Sequence, residues 1–291
     1  MKIILLIGSK RWSFNRRINA GFVEKLASFH DIQLSVFDRT TIIQQHKSIL
    51  EAYNKIKPDV FICYAKLGKS RFVDAASKIN CPKIMIDVDY SHRPVALQKL
   101  YKACGFDLIL QRGAFSRPKD FSIPWIWLPF SADQKIFQPD KPFLKRTNKI
   151  GFAGSLNHSY PTRVRAVNTL RGKQLLVVCR KCFGGKYTSF LKQYRSYFTS
   201  TELNSPHGKM FEILASGGLV LSGPFFGETE LGLQNCFVRY KSDCSDLVEK
   251  ATFIIKNQRV ARDIANKGHN VFLQKHTDDV RIKELYDHIQ N

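Results

Sequence analysis

Along the first half of the chain, short apolar runs alternate with stretches whose apolar positions recur at helical spacing. "KIILLIG" is a continuous apolar run ending at Gly8, the pattern of a strand buried on both faces. "RINAGFVEKLASFH" has helical spacing, "DIQLSVFD" alternates like a strand, and "SILEAYNKIKP" returns to helix and stops at Pro58. "DVFICYA", "PKIMIDVD" and "FDLILQR" are three further β-rich runs, separated by helical segments around "FVDAASKI" and "VALQKLYKAC". Strands alternating with helices at this spacing predict βαβ units and a parallel sheet.

The pattern then breaks and restarts. "WIWLPFSADQKIFQPDKPFLKRTN" contains Pro129, Pro139 and Pro142 and has no clear period, which marks a domain boundary near residue 140. Beyond it "KIGFAGSL" reads as a second opening strand, followed by a helix from about Pro161. "QLLVVCR", "YFTSTEL", "LVLSG" and "CFVRYKS" continue as strands with helices between them, and the C-terminal third is almost entirely helical. The expected fold is α/β: two Rossmann-like doubly wound domains, 1–140 and 141–291, facing a cleft, with the C-terminal helices packing back. In this architecture ligands bind outside the carboxyl ends of the strands.

Charge changes the picture more than size does. The 291 residues carry 46 Lys and Arg against 24 Asp and Glu, a formal charge of +22. Residues 141–201 hold 13 of the basic side chains and no Asp or Glu at all. A field this one-sided attracts phosphate polymers, anionic membrane surfaces or highly charged small ligands. No apolar run is long enough for a membrane span or a signal-peptide core. The seven cysteines are therefore expected as reduced, mostly packed thiols of a cytoplasmic protein. Cys179-Arg-Lys-Cys182 is a lone CxxC without a second pair at zinc spacing, and no metal site is expected from it.

Two loops of the second half have the chemistry to hold a diphosphate. Gly154 and Ser155 follow a strand directly, so backbone N–H groups can approach an anion closely. Arg163 and Arg165 fall on the first turn of the helix that follows. In "SPHGKMFEILASGG", Ser205 reads as an N-cap and Pro206 as the first helical residue. The free N–H groups of His207 and Gly208 and the helix dipole would then face the ligand. Lys209 adds a full charge, and Glu212 lies three residues on, on the same helix face. A carboxylate there can accept hydrogen bonds from vicinal ribose hydroxyls.

In this order the segments resemble the C-terminal, donor-binding domain of a GT-B glycosyltransferase, and most of all the family related to the spore-maturation glycosyltransferases. "LPFSADQKIFQPD", "KIGFAGSLNHSYPTRVRAVNTL", "YFTSTELNSPHGKMFEILASGGLVLSG" and "HTDDVRIKELYDHI" carry the resemblance, over roughly residues 125–291. It implies a nucleotide-sugar donor, foremost a UDP-sugar, and no further cofactor. It implies that Glu212 holds the donor ribose and Lys209 the diphosphate, with Gly154, Ser155 and Arg163 assisting. Many retaining GT-B enzymes carry another Glu eight residues before the ribose Glu; Asn204 stands there in this chain. Their sugar contacts and retaining mechanism are not carried over.

The first half is expected to supply the acceptor side. "PKIMIDVDYSHRP" ends a strand with Asp87, Asp89 and His92 in quick succession, and one of them, Asp89 first, would take the acceptor hydroxyl's proton. "Asp-Val-Asp" also spells a three-residue metal motif of the other glycosyltransferase fold, which the two-domain pattern discounts. Gly8, after the first strand, is expected to wall the cleft. "GSKRWSFNRR" beside it mixes Trp12 and Phe14 with basic residues, suited to stacking on a base or sugar, or to a membrane interface. A donor diphosphate needs two or three cations, so the remaining charge points to a polyanionic acceptor such as a modified base in DNA. A membrane-associated or cell-envelope glycan is the second acceptor reading. A nucleotide-sugar isomerase and a non-enzymatic nucleic-acid-binding protein are the readings of other classes.

Overall fold

A computed structural model describes residues 1–7, 16–37, 45, 48–64, 75–87, 94–113, 122–200 and 205–290. The chain forms two compact units, Met1–Pro129 with Arg281–Asn291, and Phe130–Val280. Each is built on a parallel sheet.

The first unit contains β1 (Lys2–Ile7), α1 (Arg16–Ala27), β2 (Gln33–Phe37), α2 (Ile49–Ile56), β3 (Val60–Tyr64), β4 (Lys83–Asp87), α3 (Pro94–Cys104), β5 (Leu108–Gln111) and β6 (Trp125–Trp127). Its sheet order is β2-β1-β3-β4-β5-β6. β1 shows why the apolar run is unbroken. Ile4 and Leu6 pack into one core cluster, Ile3 and Leu5 into another. Both faces of the sheet are covered, so period-2 alternation has no polar side to show. In α2 the Ser48 side chain accepts the Glu51 N–H, and Lys57 ends the helix at φ 49° just before Pro58. Trp125–Trp127, read from sequence as part of an aperiodic connector, is instead a sixth strand paired with β5. Three residues are too few to display a period.

The second unit contains β7 (Thr147–Ala153), α4 (Pro161–Gly172), β8 (Leu176–Cys179), α5 (Gly184–Gln193), β9 (Tyr194–Thr199), α6 (Gly208–Ala215), β10 (Leu219–Ser222), β11 (Val238–Arg239), α7 (Leu247–Lys256) and α8 (Gln258–Lys275). The order β11-β10-β9-β7-β8 puts β8 on one side of β7 and β9 on the other, so the chain reverses direction across the sheet there. That reversal creates a switch point at the carboxyl ends of β7 and β9. The "SGG" after α6 ends the helix. Gly217 takes φ +67° while its N–H reaches the Leu214 carbonyl at 3.0 Å, a left-handed cap that glycine adopts without strain. At Gly218 a Cβ would come 2.9 Å from the Tyr197 ring. The bare backbone leaves room for the ring of that buried tyrosine.

The connector around residue 140 packs within the second unit. Ala132 bridges Thr277 in parallel, and the Phe137 ring meets Tyr187 edge-on at 6.2 Å. α9 (Asp278–Gln290) starts in the second unit and runs into the first. There Ile282 and Leu285 join the cluster of Ile3 and Leu5, and Tyr286 stacks on Phe29 at 4.3 Å and donates to Asp31 at 2.6 Å. No helix among the described residues is long and apolar enough to cross a membrane.

Candidate donor site in the second unit

The residues that converge come from three elements around the β7/β9 switch point. β7 delivers Ala153 and Gly154 to its carboxyl end. α4 begins at Pro161, so Arg163 lies in its first turn. The Arg163 Nε donates to the Ser200 hydroxyl, just past β9, at 2.6 Å. Its Nη1 lies 3.4 Å from the Ser155 carbonyl, and its guanidinium sits 4.0 Å above the Tyr160 ring. One arginine thus ties the loop after β7 to the end of β9. Arg165 does not join it; its side chain bonds Cys244 instead.

α6 begins later than the sequence implied. His207, not Ser205, is the N-cap, without a side-chain cap bond, and Gly208 is the first helical residue. Ser205 is buried and its hydroxyl lies 3.4 Å from the Pro206 carbonyl. The chain around Ser205 and Pro206 is committed to burial, which takes the hydroxyl away from the helix end. The late start leaves His207 and Gly208 half-buried at the helix N-terminus, where the helix dipole favours an anion.

Lys209 keeps part of its surface in solvent, while its Nζ donates to the Ala153 carbonyl at 2.5 Å. Lost hydration of the ammonium lowers its pKa from the usual lysine range, Glu212 raises it in part, and Arg163 lowers it again. Two cations are therefore held close enough to repel. An anion between them would relieve both. A Cβ on Gly154 would stand 2.7 Å from the Phe152 ring and 3.3 Å from the Lys209 ammonium, so only glycine leaves this approach open.

Glu212 is 4% exposed. The Tyr187 hydroxyl of α5, itself buried, donates to its Oε2 at 2.5 Å. Burial raises the Glu212 pKa; the Tyr187 bond and Lys209 oppose that, and Asp278 adds to it. Burial likewise raises the Tyr187 phenol, reinforced by the Glu212 charge. Next along the sheet Thr199 and Ser222 are register partners at the strand ends, both buried, with side-chain hydroxyls that meet no protein partner.

Gly154, Ser155, Arg163, His207, Gly208, Lys209 and Glu212, the donor residues expected from sequence, lie on these converging segments. Tyr187 and Ser200, which sequence reasoning did not name, contact Glu212 and Arg163. Tyr187 is 25 residues from its carboxylate, and no local pattern links them.

Gly8, Asp89 and His92 lie outside the described residues, as do Trp12, Phe14 and Asn204. Asp87 is the last residue of β4 and is buried, 3% exposed. Beside it at the strand ends, Arg112 donates to the Tyr64 hydroxyl at 2.7 Å and to the Pro129 carbonyl at 3.4 Å. Among the described residues no cluster of three or more His, Cys, Asp or Glu could hold a metal ion. The lone CxxC is not a pair of free thiols: Cys179 and Cys182 are joined by a disulfide, their Cα atoms 5.6 Å apart. A turn at the end of β8, with Lys181 at φ 47°, brings the two side chains together.

Residues 147–287 match the family model described as glycosyl transferase-like. No curated protein matches the sequence. Among solved structures, sucrose-phosphate synthase from Thermosynechococcus elongatus superposes with a TM-score of 0.70 at 10% identity, over 100% of this chain and 98% of that one. An alpha-glucosyltransferase in complex with UDP and a 13-mer DNA gives 0.67 at 10% identity, over 100% of both chains. Anabaena Alr3699/HepE in complex with UDP and glucose gives 0.65 at 11% identity, again over 100% of both. These proteins share the GT-B fold with this chain. Fold and family-model match together mark the protein as a glycosyltransferase of GT-B fold.

Proposed function

We propose that the protein transfers a hexose from a UDP-sugar to a hydroxyl of a nucleic-acid acceptor, such as a modified base in DNA. The observation that carries the donor half is the convergence of Lys209 and Arg163 at the β7/β9 switch point, beside Gly154, with Glu212 one helical turn away. The two cations and the α6 N-terminus complement a diphosphate. The Glu212 carboxylate accepts hydrogen bonds from the ribose hydroxyls. Two structural neighbours bound to UDP support this choice of donor.

In the transfer the acceptor oxygen bonds to the anomeric carbon as the bond to the diphosphate breaks. The bonding pair leaves with the diphosphate, where Lys209 and Arg163 stabilise the added charge. The acceptor proton goes to a base of the Asp87–His92 stretch; Asp89 remains the first candidate and Asp87 the described one. The nucleic-acid acceptor rests on the block at 141–201 with its 13 basic and no acidic residues, and on one neighbour's complex with DNA.

The test is direct. UDP should raise the melting temperature, since only the folded state holds it, and UDP-glucose should be slowly hydrolysed. Absence of both effects across a panel of nucleotide sugars defeats the donor reading.

A pH dependence follows from Tyr187. The ribose contact uses ionised Glu212, so UDP affinity should fall on acidification through the raised Glu212 pKa. Tyr187→Phe removes the bond that opposes this rise. Its affinity should therefore begin to fall at higher pH than in the wild type and be restored in alkali. Calorimetric titration with UDP from about pH 5 to about pH 8.5 reads this shift. Superimposable pH profiles would remove Tyr187 from the site.

A further inference from the structure

The helix α5 that sends Tyr187 inward turns a different stripe, exposed at Lys186, Ser189 and Gln193 and buried at Phe190, toward a groove. Lys186, Ser189, Phe190 and Gln193 recur at i, i+3, i+4 and i+7 and form one wall of a groove of about 410 Å³. Lys141 and Lys192 also line it, with Asp140 its only carboxylate. The stripe is roughly 10 Å long at 1.5 Å per residue. Tyr187 leaves the helix about 100° further round, so groove and donor site use different faces of α5.

At the head of the groove stands the loop closed by the Cys179–Cys182 disulfide, with Cys179 itself in the lining. Lys181 at φ 47° and Gly184 at φ 54° turn the chain sharply on either side of Cys182 and Phe183. The Phe183 ring is 59% exposed and is flanked in sequence by exposed Arg180, Lys181 and Lys186. The Lys186 Nζ lies 3.5 Å from the Arg180 carbonyl, which places an ammonium against the loop. A large aromatic ring stands in water among cations, directly after a covalently closed turn.

We propose that this loop and groove form a nucleic-acid docking surface, on which Arg180, Lys181, Lys186, Lys141 and Lys192 contact phosphates and Phe183 stacks on an unpaired base. The choice of partner rests on the acceptor reading above; the surface itself rests on its own geometry. A concave groove lined by three lysines and a single carboxylate suits a phosphate strand with a projecting base. A lipid surface would be met by several exposed apolar side chains, and here Phe183 stands alone among charges. The disulfide restrains the turn that carries Arg180 and Lys181 before binding, so less ordering of those two charges is needed on contact.

The experiment uses the full chain and a fluorescein-labelled single-stranded oligonucleotide, titrated by anisotropy over a salt series, with UDP affinity measured in parallel. Arg180→Ala with Lys186→Ala should weaken binding by about 10- to 100-fold and make the log–log salt slope shallower by about 1.4, two phosphate contacts at ~0.7 each. Phe183→Ala should cost about tenfold without changing the slope. Both variants should keep wild-type UDP affinity.

Oligonucleotide isotherms unchanged by both variants overturn the proposal while leaving the donor site intact. Loss of phosphatidylserine-vesicle co-sedimentation in the same variants, with oligonucleotide binding retained, overturns it in favour of a membrane. A wild-type chain that binds oligonucleotide through these residues but not UDP supports the surface and sinks the donor reading.

Discussion

Glu212→Ala is expected to reduce UDP affinity by about 100-fold, the loss of two hydrogen bonds to a charged acceptor at roughly 1.5 kcal/mol each. It should also lower stability. The variant leaves the buried Tyr187 hydroxyl without its acceptor, at a cost of about 1–3 kcal/mol. Part of this is offset because a buried carboxyl disappears as well. Its pKa lies above the unfolded value, so its burial is least costly in acid and destabilises the fold as pH rises through that window. The stability gap between wild type and variant should therefore narrow towards alkaline pH. Donor binding has the opposite sign, because it needs the ionised form. Glu212→Gln separates the two effects: the amide oxygen still accepts from Tyr187, so stability should hold while UDP affinity falls. Calorimetry with UDP and thermal unfolding at several pH values read both quantities. A folded Glu212→Ala protein with wild-type UDP affinity would exclude this carboxylate from the site.

Lys209→Met should weaken UDP by about 10- to 100-fold, the range for one charge-assisted contact to a diphosphate. Stability should change little, because the side chain is exposed and its single protein bond is to a carbonyl on the loop edge. The comparison that isolates the charge is uridine. Binding of uridine, which lacks the diphosphate, should be unaffected by the substitution. Added salt should erode wild-type UDP affinity more than that of the variant, since screening acts on the charge that Met lacks. Equal losses for UDP and uridine would mean that Lys209 supports the fold of the site and does not grip the phosphates.

The pairing of Lys209 with Glu212 could be read from the chain because both lie on one helix, where a spacing of three fixes a shared face. Gly154 could be read because a glycine after a strand lets backbone N–H groups approach an anion closely, and the arginines of the next helix follow it in order. Local order fails at the helix start. "Ser-Pro" is a common opening for a helix, yet Ser205 is buried and the first turn begins at Gly208, because side-chain burial outweighed a capping bond. Tyr187, Ser200 and the aromatic shelf at Tyr160 under Arg163 were beyond reach. Each depends on a neighbour brought by the fold, and an isolated tyrosine or serine in an aromatic, basic stretch carries no sign of its partner. The same holds for Cys179 and Cys182. Their spacing allowed a bond, but only the turn through Lys181 brings the sulfurs together.

The amino-acid sequence alone determined the alternation of buried strands and amphipathic helices, the restart of that pattern after the connector, and the concentration of positive charge in residues 141–201. These are properties of neighbours along the chain, set by the side-chain period and by composition. The order β11-β10-β9-β7-β8 was decided only in three dimensions, as was the return of Ile282 and Leu285 to the core of Ile3 and Leu5. So was the meeting of a phenol on α5 with a carboxylate on α6. Strand order and buried hydrogen bonds are chosen by how well distant surfaces fill and satisfy one another, and that fit exists only once the chain has closed on itself.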